Sequence, residues 1–571
     1  MDLTTFLGTK VVRSSSIIVA QSLVIVAAFV TAPLAQPKAP ARETRDDPPG
    51  VAATRSAGHS AAPVVFGRFT SIQVNVDANG ANIVGDAANE PSIAVHPNIP
   101  MKIAIGWRQF DTVLSNFRQA GWGYSANGGG TWTFPGKLDP GQFRSDPVLD
   151  YDSQGNFYFC SLRDDFNSLV FKSTNGGATW GPPVFAYGGD KQWIAIDRTF
   201  LASDGNIYQA WSTAANPWGN NTFNRSINDG VSFQAPILLT QQPIWGTLDV
   251  TPNGTLYVVG VSDFDFGQFW VVKSTNPGSF SPTFIATGVS LGGDIGFSVG
   301  PNPGGLMGQA WLAVDKSNGP TAGYIYVLAS VTTPGDPADV MFVRSTNGGT
   351  TWSTPVRVND DTPGNNAWQW FGTMSVAPNG RIDAVWNDTR NTGLVNRSQL
   401  YYSSSTDGGA TWSVNEAASP VWDSFVGWPN QQKIGDYYDM TSDSTGAHLA
   451  FAATFNNEQD VYYMRIGQSA TDVAGRAPAG YLLHANEPNP FSAFTTIRYD
   501  VPAEGGRVTL SVFDVNGRLV RTLENGVVAG GGRTTSWDGR DARGRAVASG
   551  VYFCRLHAAG VSRHVKMILV R

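Results

Sequence analysis

Carboxylate, aromatic and basic residues occur close together at several points of this 571-residue chain, most densely in residues 386–390 and 435–439, and residues 368–370 add two Trp that flank a Gln. A carboxylate can accept hydrogen bonds from sugar hydroxyls, while an aromatic ring can pack against the apolar face of a pyranose. Two carboxylates that flank a glycosidic bond can also serve as the acid and the base of its hydrolysis. The residue types therefore predict a carbohydrate site, used for binding or for hydrolysis.

The candidates for this site come from widely separated stretches of the sequence. The catalytic candidates are Asp146, Asp388, Asp436 and Tyr437, and the ligand-binding candidates are Arg108, Arg144, Trp193, Trp370 and Arg390. They stand at predicted strand starts or in loops, and loops from several repeat units converge where binding sites tend to form. A structural alternative stays open, because Trp in a strand commonly packs between sheets and Asp beside Arg commonly forms an ion pair that holds a loop.

An eight-residue turn that the chain repeats is the first clue to what positions these residues. Its pattern is Ser-x-Asn/Asp-x-Gly-x-Thr/Ser-Trp/Phe, with clear copies at residues 125–132, 173–180, 345–352 and 405–412, a looser copy at 226–233 and one at 274–280 that is one residue short. The Asn or Asp can hydrogen-bond its own turn, the Gly can take a positive φ, and the aromatic ring can be buried under the next strand. Six copies indicate a repeat architecture.

A second hairpin signal, a Gly turn followed by a β-rich run, precedes the eight-residue turns and also appears at residues 444–449. Each repeat unit is therefore predicted to contain four strands. First strands are predicted near Pro91, Asp146, Trp193, Thr247, Trp311, Gly372 and Asp436. The last unit has only three obvious strands, so residues 69–76 are expected to supply its fourth strand and close a ring. We predict an all-β, seven-bladed β-propeller, with six blades as the alternative.

The eight-residue turn resembles the Asp-box, or BNR repeat, so residues 64–468 resemble the sialidase-like family of β-propellers. That resemblance implies a ring of antiparallel blades with all of the turns on one face. In sialidases three Arg hold the substrate carboxylate, a Glu activates a Tyr nucleophile and an Asp is the acid/base. By the resemblance, Arg108, Arg144 and Arg390 would form the Arg cluster and Tyr437 would be a late Tyr.

Two departures from the sialidase pattern argue against true sialidase activity. Where sialidases have an Arg-Ile-Pro motif, residues 98–100 read Asn-Ile-Pro, without the Arg. No Glu occurs between Glu90 and Glu416, so the mid-chain Glu that would activate the Tyr is missing.

The two ends of the chain differ from the repeats. Residues 1–35 are predicted to be a signal peptide, with Lys10 and Arg13 before a largely apolar stretch. Residues 36–63 are predicted to be a disordered linker, and 469–484 a second linker. Residues 485–571 alternate like a small β-sandwich. They resemble the Ig-like domain of the flagellar hook-capping protein and the C-terminal sorting domain of type IX secretion cargo, which implies the secretion machinery as a partner.

The amino-acid composition disfavours some classes of partner and cofactor. The net charge of −6 and the pI near 5.6 disfavour a nucleic-acid partner. The two cysteines lie in different predicted domains, and the six His include no pair at metal-ligand spacing. The Asp-rich residues 263–265 and 360–361 lack the spacing of a known calcium loop, so structural Ca²⁺ is unsupported and neither a metal nor a cofactor is expected.

Together these features predict a secreted or cell-surface protein, reached by bacterial-type export, that recognises a glycan or glycoconjugate and has no membrane span in the mature chain. The first alternative is a glycoside hydrolase, exo-sialidase-like, that uses Asp residues of the channel face. The second is an extracellular scaffold that binds proteins.

Overall fold

The computed structural model describes residues 61–199, 201–467, 481–484, 486, 488–502, 505–515, 517–529, 531–558 and 561–571. Their regular elements are all β-strands, so the predicted all-β class is confirmed. The predicted signal peptide and most of both predicted linkers lie outside the described residues. Within those residues, no helix is long and apolar enough to cross a membrane.

The first eighteen strands run from residue 64 to residue 289. They are β1 (Val64–Phe66), β2 (Phe69–Gln73), β3 (Ala87–Val95), β4 (Ile103–Phe110), β5 (Gln119–Ser125), β6 (Thr133–Leu138), β7 (Ser145–Tyr151), β8 (Phe157–Leu162), β9 (Ser168–Ser173), β10 (Val184–Phe185), β11 (Trp193–Ile196), β12 (Ile207–Ala210), β13 (Asn221–Ser226), β14 (Ile237–Leu238), β15 (Leu248–Val250), β16 (Leu256–Val261), β17 (Phe269–Ser274) and β18 (Ile285–Val289).

The next fifteen run from residue 294 to residue 467. They are β19 (Asp294–Ile295), β20 (Phe297–Val299), β21 (Asn302–Leu306), β22 (Trp311–Val314), β23 (Ile325–Thr333), β24 (Asp336–Ser345), β25 (Val356–Arg357), β26 (Gln369–Val376), β27 (Ile382–Asp388), β28 (Arg397–Ser405), β29 (Glu416–Ala417), β30 (Trp422–Asp423), β31 (Asp439–Asp443), β32 (Gly446–Ala453) and β33 (Asp460–Gly467).

These strands form seven antiparallel sheets of four or five strands and one two-stranded ribbon, β20–β21, within the described part of the chain. The first strand of each sheet contacts the first strand of the next. In order these first strands are β3, β7, β11, β15, β22, β26 and β31, and β31 in turn contacts β3. The first strands therefore surround an axis, as in a β-propeller, and seven blades stays the prediction that fits this arrangement.

The two ends of the ring meet in one sheet. β2 pairs with β33, with Ser71 opposite Met464 and Gln73 opposite Tyr462, in the order β1–β2–β33–β32–β31. The N-terminal strand thus completes the sheet that the chain builds last, as the sequence predicts.

Each first strand is the inner edge of its sheet, so its outward N–H groups need acceptors from elsewhere. Side chains of the neighbouring sheet supply several of them at N···O distances of 2.8–3.0 Å. The pairs, acceptor first, are Asp439–Ile93, Ser92–Leu149, Asp150–Ile196, Asp249–Val314 and Ser375–Ser442. These bonds fasten adjacent sheets together around the axis.

The eight-residue turn has the same hydrogen bonds in its repeated copies. In the copy at 173–180, Gly177 N donates to Ser173 Oγ at 3.0 Å, and Thr179 N donates to Asn175 Oδ1 at 3.0 Å. Gly177 has a φ of +84°, and an added Cβ would collide with Ala104 on the neighbouring sheet. The glycine therefore serves both the turn conformation and the close approach of the two sheets.

The copy at 274–280 differs from the sequence prediction. Phe280, expected to bury its ring, is 96% exposed. Asn276 Oδ1 accepts its bond from Thr283 N, seven positions on rather than four, and Phe284 packs against the core instead. The turn is thus three residues longer than a regular copy, not one shorter, and Phe280 lies on the insertion.

The C-terminal strands are β34 (Leu482–Leu483), β35 (Thr495–Val501), β36 (Gly506–Asp514), β37 (Leu519–Val528), β38 (Gly531–Trp537), β39 (Gly550–Ala558) and β40 (Val561–Leu569). They form two sheets, β34–β35–β38 and β37–β36–β39–β40. Trp537 lies between the rings of Phe491 and Tyr552 in their shared core, at 5.5 and 5.0 Å. β34 starts three residues before the predicted boundary at 485.

Candidate functional site

The backbone turns sharply near the start of each first strand. Each has a residue with positive φ there: Glu90 (50°), Asp146 (46°), Lys191 (57°), Trp245 (56°), Gly308 (128°), Phe371 (59°) and Gly435 (97°). For a non-glycine residue this conformation costs on the order of 1–3 kcal/mol and persists only where the surroundings enforce it. The same backbone conformation therefore recurs at the start of all seven first strands, at one end of the channel.

Charged side chains fill this end, and we call them the buried ionic cluster. Its members are Glu90, Arg108, Arg118, Asp146, Asp190, Lys191, Lys433 and Asp436. Lys191 Nζ lies 3.2 Å from Asp146 Oδ1 and 2.5 Å from Asp436 Oδ2. Lys433 Nζ lies 2.7 Å from the same Asp436 oxygen. Residues from three sheets thus share one network.

Glu90 extends the cluster to the first sheet. Its Oε2 lies 3.1 Å from Arg108 Nε, and its Oε1 lies 3.5 Å from Lys433 Nζ. Arg108 Nε also donates to Asn89 Oδ1 at 2.8 Å. Because these side chains are almost wholly buried, their charges must be balanced within the cluster rather than by water.

The carboxyl groups of the cluster fall into two classes, one with raised and one with lowered pKa values. Burial outweighs the nearby cations for Glu90 and Asp190, and raises the pKa of each to about 7. For Asp146 and Asp436 burial also acts upward, but Lys191 and the other cations outweigh it, so the pKa of each is lowered. Near neutral pH, two carboxyl groups are therefore poised to hold a proton beside two that are ionised.

An aromatic layer adjoins the cluster. Tyr437 Oη donates to the Pro147 carbonyl at 2.9 Å. The ring of Trp193 lies 5.2 Å from that of Tyr437 and 5.3 Å from that of Trp311, each at an interplanar angle of 81°. Burial raises the pKa of Tyr437 well above its usual value, with the Glu90 carboxyl acting in the same direction. Tyr437 is thus a neutral hydrogen-bond donor.

Beyond the aromatic layer lies a cavity of about 240 Å³, which we call the channel cavity. Its lining includes Trp193, Trp311 and Tyr151, with Met440 and Ser375 from two further sheets. Tyr151 is the last residue of β7, and Ser375 lies near the end of β26. The cavity therefore extends along the channel to the end where first strands finish, and the ionic cluster occupies the end where they start.

Charged groups line the channel cavity as ion pairs. Arg198 Nη1 donates to Asp150 Oδ1 at 2.5 Å and to the Tyr151 carbonyl at 2.8 Å, and its guanidinium lies 4.2 Å from the centre of the Tyr151 ring. Lys316 Nζ lies 2.6 Å from Asp249 Oδ1. Since both carboxylates also accept bonds from neighbouring backbone, these charges are held in fixed positions around the cavity.

The structure brings together five of the nine residues predicted for the site. Asp146, Asp436 and Arg108 belong to the ionic cluster, and Tyr437 and Trp193 form the adjoining aromatic layer. All five are buried. They contact one another rather than an open surface.

Three predicted residues lie elsewhere, in the sheet of β26–β29. Trp370 is fully buried in a core cluster with Phe371, and donates from Nε1 to Ser398 Oγ at 2.9 Å. Arg390 Nε lies 2.8 Å from Asp388 Oδ2, and its Nη1 lies 2.6 Å from Asp360 Oδ1. These contacts match the structural alternative, an ion pair that holds a loop.

The three arginines named by the sialidase resemblance each have a separate carboxylate. Arg108 contacts Glu90, Arg390 contacts Asp388, and Arg144 Nη2 lies 2.6 Å from Asp139 Oδ2.

Five members of the cluster were not among the predicted site residues: Glu90, Arg118, Asp190, Lys191 and Lys433. Asp190 and Lys191 directly precede the predicted strand at Trp193, so their position at a strand start was available as a signal. Lys433 stands three positions before the predicted strand start at Asp436, as Asp190 does before Trp193, so the same signal was available for it. Among the described residues, no group of three or more His, Cys, Asp or Glu is arranged to hold a metal ion.

Comparison with known proteins identifies the end of the chain. Residues 492–560 match the family model of the FlgD Ig-like domain. The C-terminal segment thus contains an Ig-like domain of this type. No curated protein matches the chain.

Three solved structures illustrate the similarity of the remainder. A protein of unknown function from Dyadobacter fermentans is 13% identical, over 69% of this chain and 98% of that one, with a TM-score of 0.39. Trypanosoma rangeli sialidase is 11% identical, over 88% and 89%, with a TM-score of 0.34. A mutant of Aleuria aurantia lectin in complex with α-methyl-L-fucoside is 14% identical, over 58% and 97%, with a TM-score of 0.35. The fold assignment itself rests on the strand pairing.

Proposed function

We propose that this protein recognises glycans and that the channel cavity receives one sugar ring of the ligand. The observation that carries the proposal is the convergence of Trp193, Trp311 and Tyr151 with the Arg198 and Lys316 ion pairs on one cavity. Aromatic rings offer packing to the apolar face of a sugar, and fixed charges offer hydrogen bonds to its hydroxyls.

The size of the cavity supports a small ligand group. At about 240 Å³, it lies below the roughly 300–1,000 Å³ of pockets that hold drug-sized molecules. A terminal monosaccharide fits this range better than a long oligosaccharide does. The rest of a glycan would then extend over the face of the ring where the first strands finish.

The ion pairs support recognition by hydrogen bonding rather than by net charge. Arg198 and Lys316 each have a carboxylate partner, so the cavity offers donors and acceptors together. Burial acts to lower the pKa of Arg198 and the Asp150 carboxylate acts to raise it, with a net rise. The guanidinium therefore stays charged and keeps its orientation.

A glycan array followed by calorimetric titration tests this proposal. Lys316→Met removes a donor from the cavity, and we expect binding about tenfold weaker, as for a lost hydrogen bond to a charged group. Lys172→Met is the matched control, because Lys172 is about equally exposed (35% against 36%) and also faces a carboxylate, but lies outside the cavity lining. A parent protein that binds no glycan, or equal losses in both variants, would overturn the proposal.

Glycoside hydrolysis is the second candidate. It is favoured by the pKa of about 7 for Glu90 and Asp190 beside the lowered pKa values of Asp146 and Asp436. Carboxyl groups whose pKa values are driven apart are the usual pattern of an acid and a base. This candidate requires the cluster to open, since these side chains are buried. A hydrolysis screen with parent, Glu90→Gln and Asp146→Asn decides it: activity lost in the variants supports hydrolysis, and an inactive parent excludes it for the substrates screened.

We also propose that the protein acts outside the cytoplasm. The support is the predicted signal peptide at residues 1–35 and the likeness of residues 485–571 to sorting domains of type IX secretion cargo. Cell fractionation of full-length protein and of a chain ending at residue 480 tests this. Retention of the shortened chain inside the envelope supports a sorting role, and identical distributions contradict it.

A further inference from the structure

The C-terminal domain carries the opposite charge balance from the rest of the chain. Residues 485–571 contain twelve Arg and Lys against seven Asp and Glu, whereas the whole chain contains 39 against 45. The excess is concentrated on one side of the sheet β37–β36–β39–β40, as the strand alternation shows.

Alternation divides the side chains of this sheet into two faces. Val508, Leu510, Cys554, Leu556 and Met567 are buried in the domain core. Their neighbours along the strands form the opposite face, which we call the outer face. Its basic members are Arg507, Arg555, His557, His564 and Lys566, and its other members include Thr509, Ser511, Phe513, Thr522, Asn525, Val527 and Phe553.

Basic side chains of the outer face lie close together on β39 and β40. Arg555 is directly opposite His564, and Lys566 is opposite Phe553, the residue two before Arg555. Directly paired side chains have Cβ atoms about 4.5–5.5 Å apart, and diagonal ones about 7–8 Å. The guanidinium of Arg555 lies 4.3 Å from the centre of the Phe513 ring, so it is held flat against the sheet.

The outer face contains no carboxylate among its described positions. The acidic residues on these strands, Asp514 and Glu524, lie opposite Tyr552 and Leu510, on the other side of the sheet. The excess positive charge is therefore uncompensated within the outer face.

We propose that the outer face binds an anionic polysaccharide, a chain of sugars that carry carboxylate or sulfate groups. Spaced cations on a flat surface match regularly spaced anions along a polymer, and the half-buried rings of Phe513 and Phe553 offer packing for sugar faces. This site is separate from the channel cavity and does not depend on the function proposed for it.

Two other partners fit the outer face less well. Juxtamembrane clusters that bind anionic lipid typically carry about 4–8 Lys and Arg, and this face has three, with its aromatic rings half-buried rather than available for insertion. Protein interfaces generally have an apolar centre and few Lys. On this face the exposed large apolar side chains are Val527, opposite Arg507, and Leu519, opposite Phe513, and they lie at the two ends of β37 rather than in one apolar centre.

Binding of the full-length protein to immobilised polygalacturonate and dextran sulfate tests the proposal, with neutral dextran as the reference. We expect binding to both anionic polymers, weakening as salt rises, and none to dextran. The Arg555→Gln/Lys566→Gln double variant should bind about tenfold more weakly, as expected for two exposed charge contacts. Both positions are exposed, so folding should be unaffected.

Arg563→Gln is the matched control. Arg563 lies on the same strand as Lys566 and is exposed, but it is opposite Leu556 and so belongs to the other face. It should bind like the parent. An equal loss in Arg563→Gln, or no loss in the double variant, would overturn the proposal. So would binding to vesicles that contain phosphatidylglycerol without binding to either polymer, which would indicate a membrane partner. Lys316→Met in the channel cavity should leave polymer binding unchanged.

Discussion

Lys191 Nζ lies 2.5 Å from Asp436 Oδ2, although 245 positions separate the two residues in the chain. Lys191 precedes β11 and Asp436 precedes β31, so the bond spans the channel between sheets that are not adjacent around the ring. Lys191 also contacts Asp146, at the start of β7. One ammonium group therefore ties three sheets together at the end of the channel where their first strands begin.

Replacing Lys191 with Met should destabilise the fold strongly. The variant leaves Asp146 and Asp436 buried without their main cation, and breaking a buried ion pair from one side typically costs about 3–5 kcal/mol. Urea unfolding measures the change. Lys316→Met is the control, because its ion pair is partly exposed and should contribute less than about 1 kcal/mol. Equal stability of Lys191→Met and the parent would show that the cluster does not hold the ring.

Asp190 should make stability depend on pH. Its carboxyl is fully buried, neither oxygen accepts a hydrogen bond from the described residues, and burial raises its pKa from 3.8 to about 7. The folded state therefore keeps a proton that the unfolded state releases, and the free energy of unfolding falls as pH rises through this window. Asp190→Asn keeps the site neutral at every pH.

We accordingly expect Asp190→Asn to unfold at a higher denaturant concentration than the parent at about pH 8, by an amount equivalent to about 1–3 kcal/mol, and to differ little at about pH 4. Asp294→Asn, at an exposed position, should show no such pH-dependent difference. A gap between Asp190→Asn and the parent that is the same at both pH values would contradict the raised pKa.

The repeated turns made much of the fold predictable from sequence. They are local patterns, and each fixes a hairpin through bonds within about eight residues, such as Gly177 to Ser173. The missing strand of the last unit also identified the segment at Phe69 as the closing strand. Counting four strands per unit was enough, because a ring leaves no other place for the unmatched strand.

The site was only partly predictable, because its contacts join distant residues. Nothing local to Lys191 shows that Asp436 will face it, and the positive φ of Glu90 or Asp146 cannot be read from a non-glycine sequence. Trp370 illustrates the opposite error: its strand was placed correctly, but its ring is fully buried in the core, beside a bulge of β26. Alternation predicts side-chain direction only while the strand stays regular.

The irregular turn gives a matched test of ring burial. Phe233→Ala should cost about 3–5 kcal/mol, as for loss of a buried ring, since Phe233 is 8% exposed. Phe280→Ala, at 96% exposure, should change stability by less than about 0.5 kcal/mol. Phe284→Ala should resemble Phe233→Ala, because Phe284 contacts Phe223 at 5.1 Å. If Phe280→Ala is as destabilising as Phe233→Ala, Phe280 is buried and the insertion does not lie there.

Removing the C-terminal domain and removing the first two strands should have different effects on the melting temperature of the ring. In the described residues, β34–β40 pair only with one another, so a chain that ends at residue 480 should keep the melting temperature of the ring. Deleting β1 and β2 instead removes the partner of β33. This exposes the edge of the sheet that contains β33 and opens the ring, and we expect a loss of several degrees in melting temperature or failure to fold.

Differential scanning calorimetry of both truncated chains beside the parent measures the contrast. The parent should show the ring transition at the same temperature as the chain that ends at residue 480. A fall in that transition when residues 481–571 are absent would show that the Ig-like domain stabilises the ring. An unchanged transition after loss of β1 and β2 would show that the closing pair of β2 and β33 contributes little, and that the side-chain bonds between first strands, such as Asp439 to Ile93, are enough to hold the ring closed.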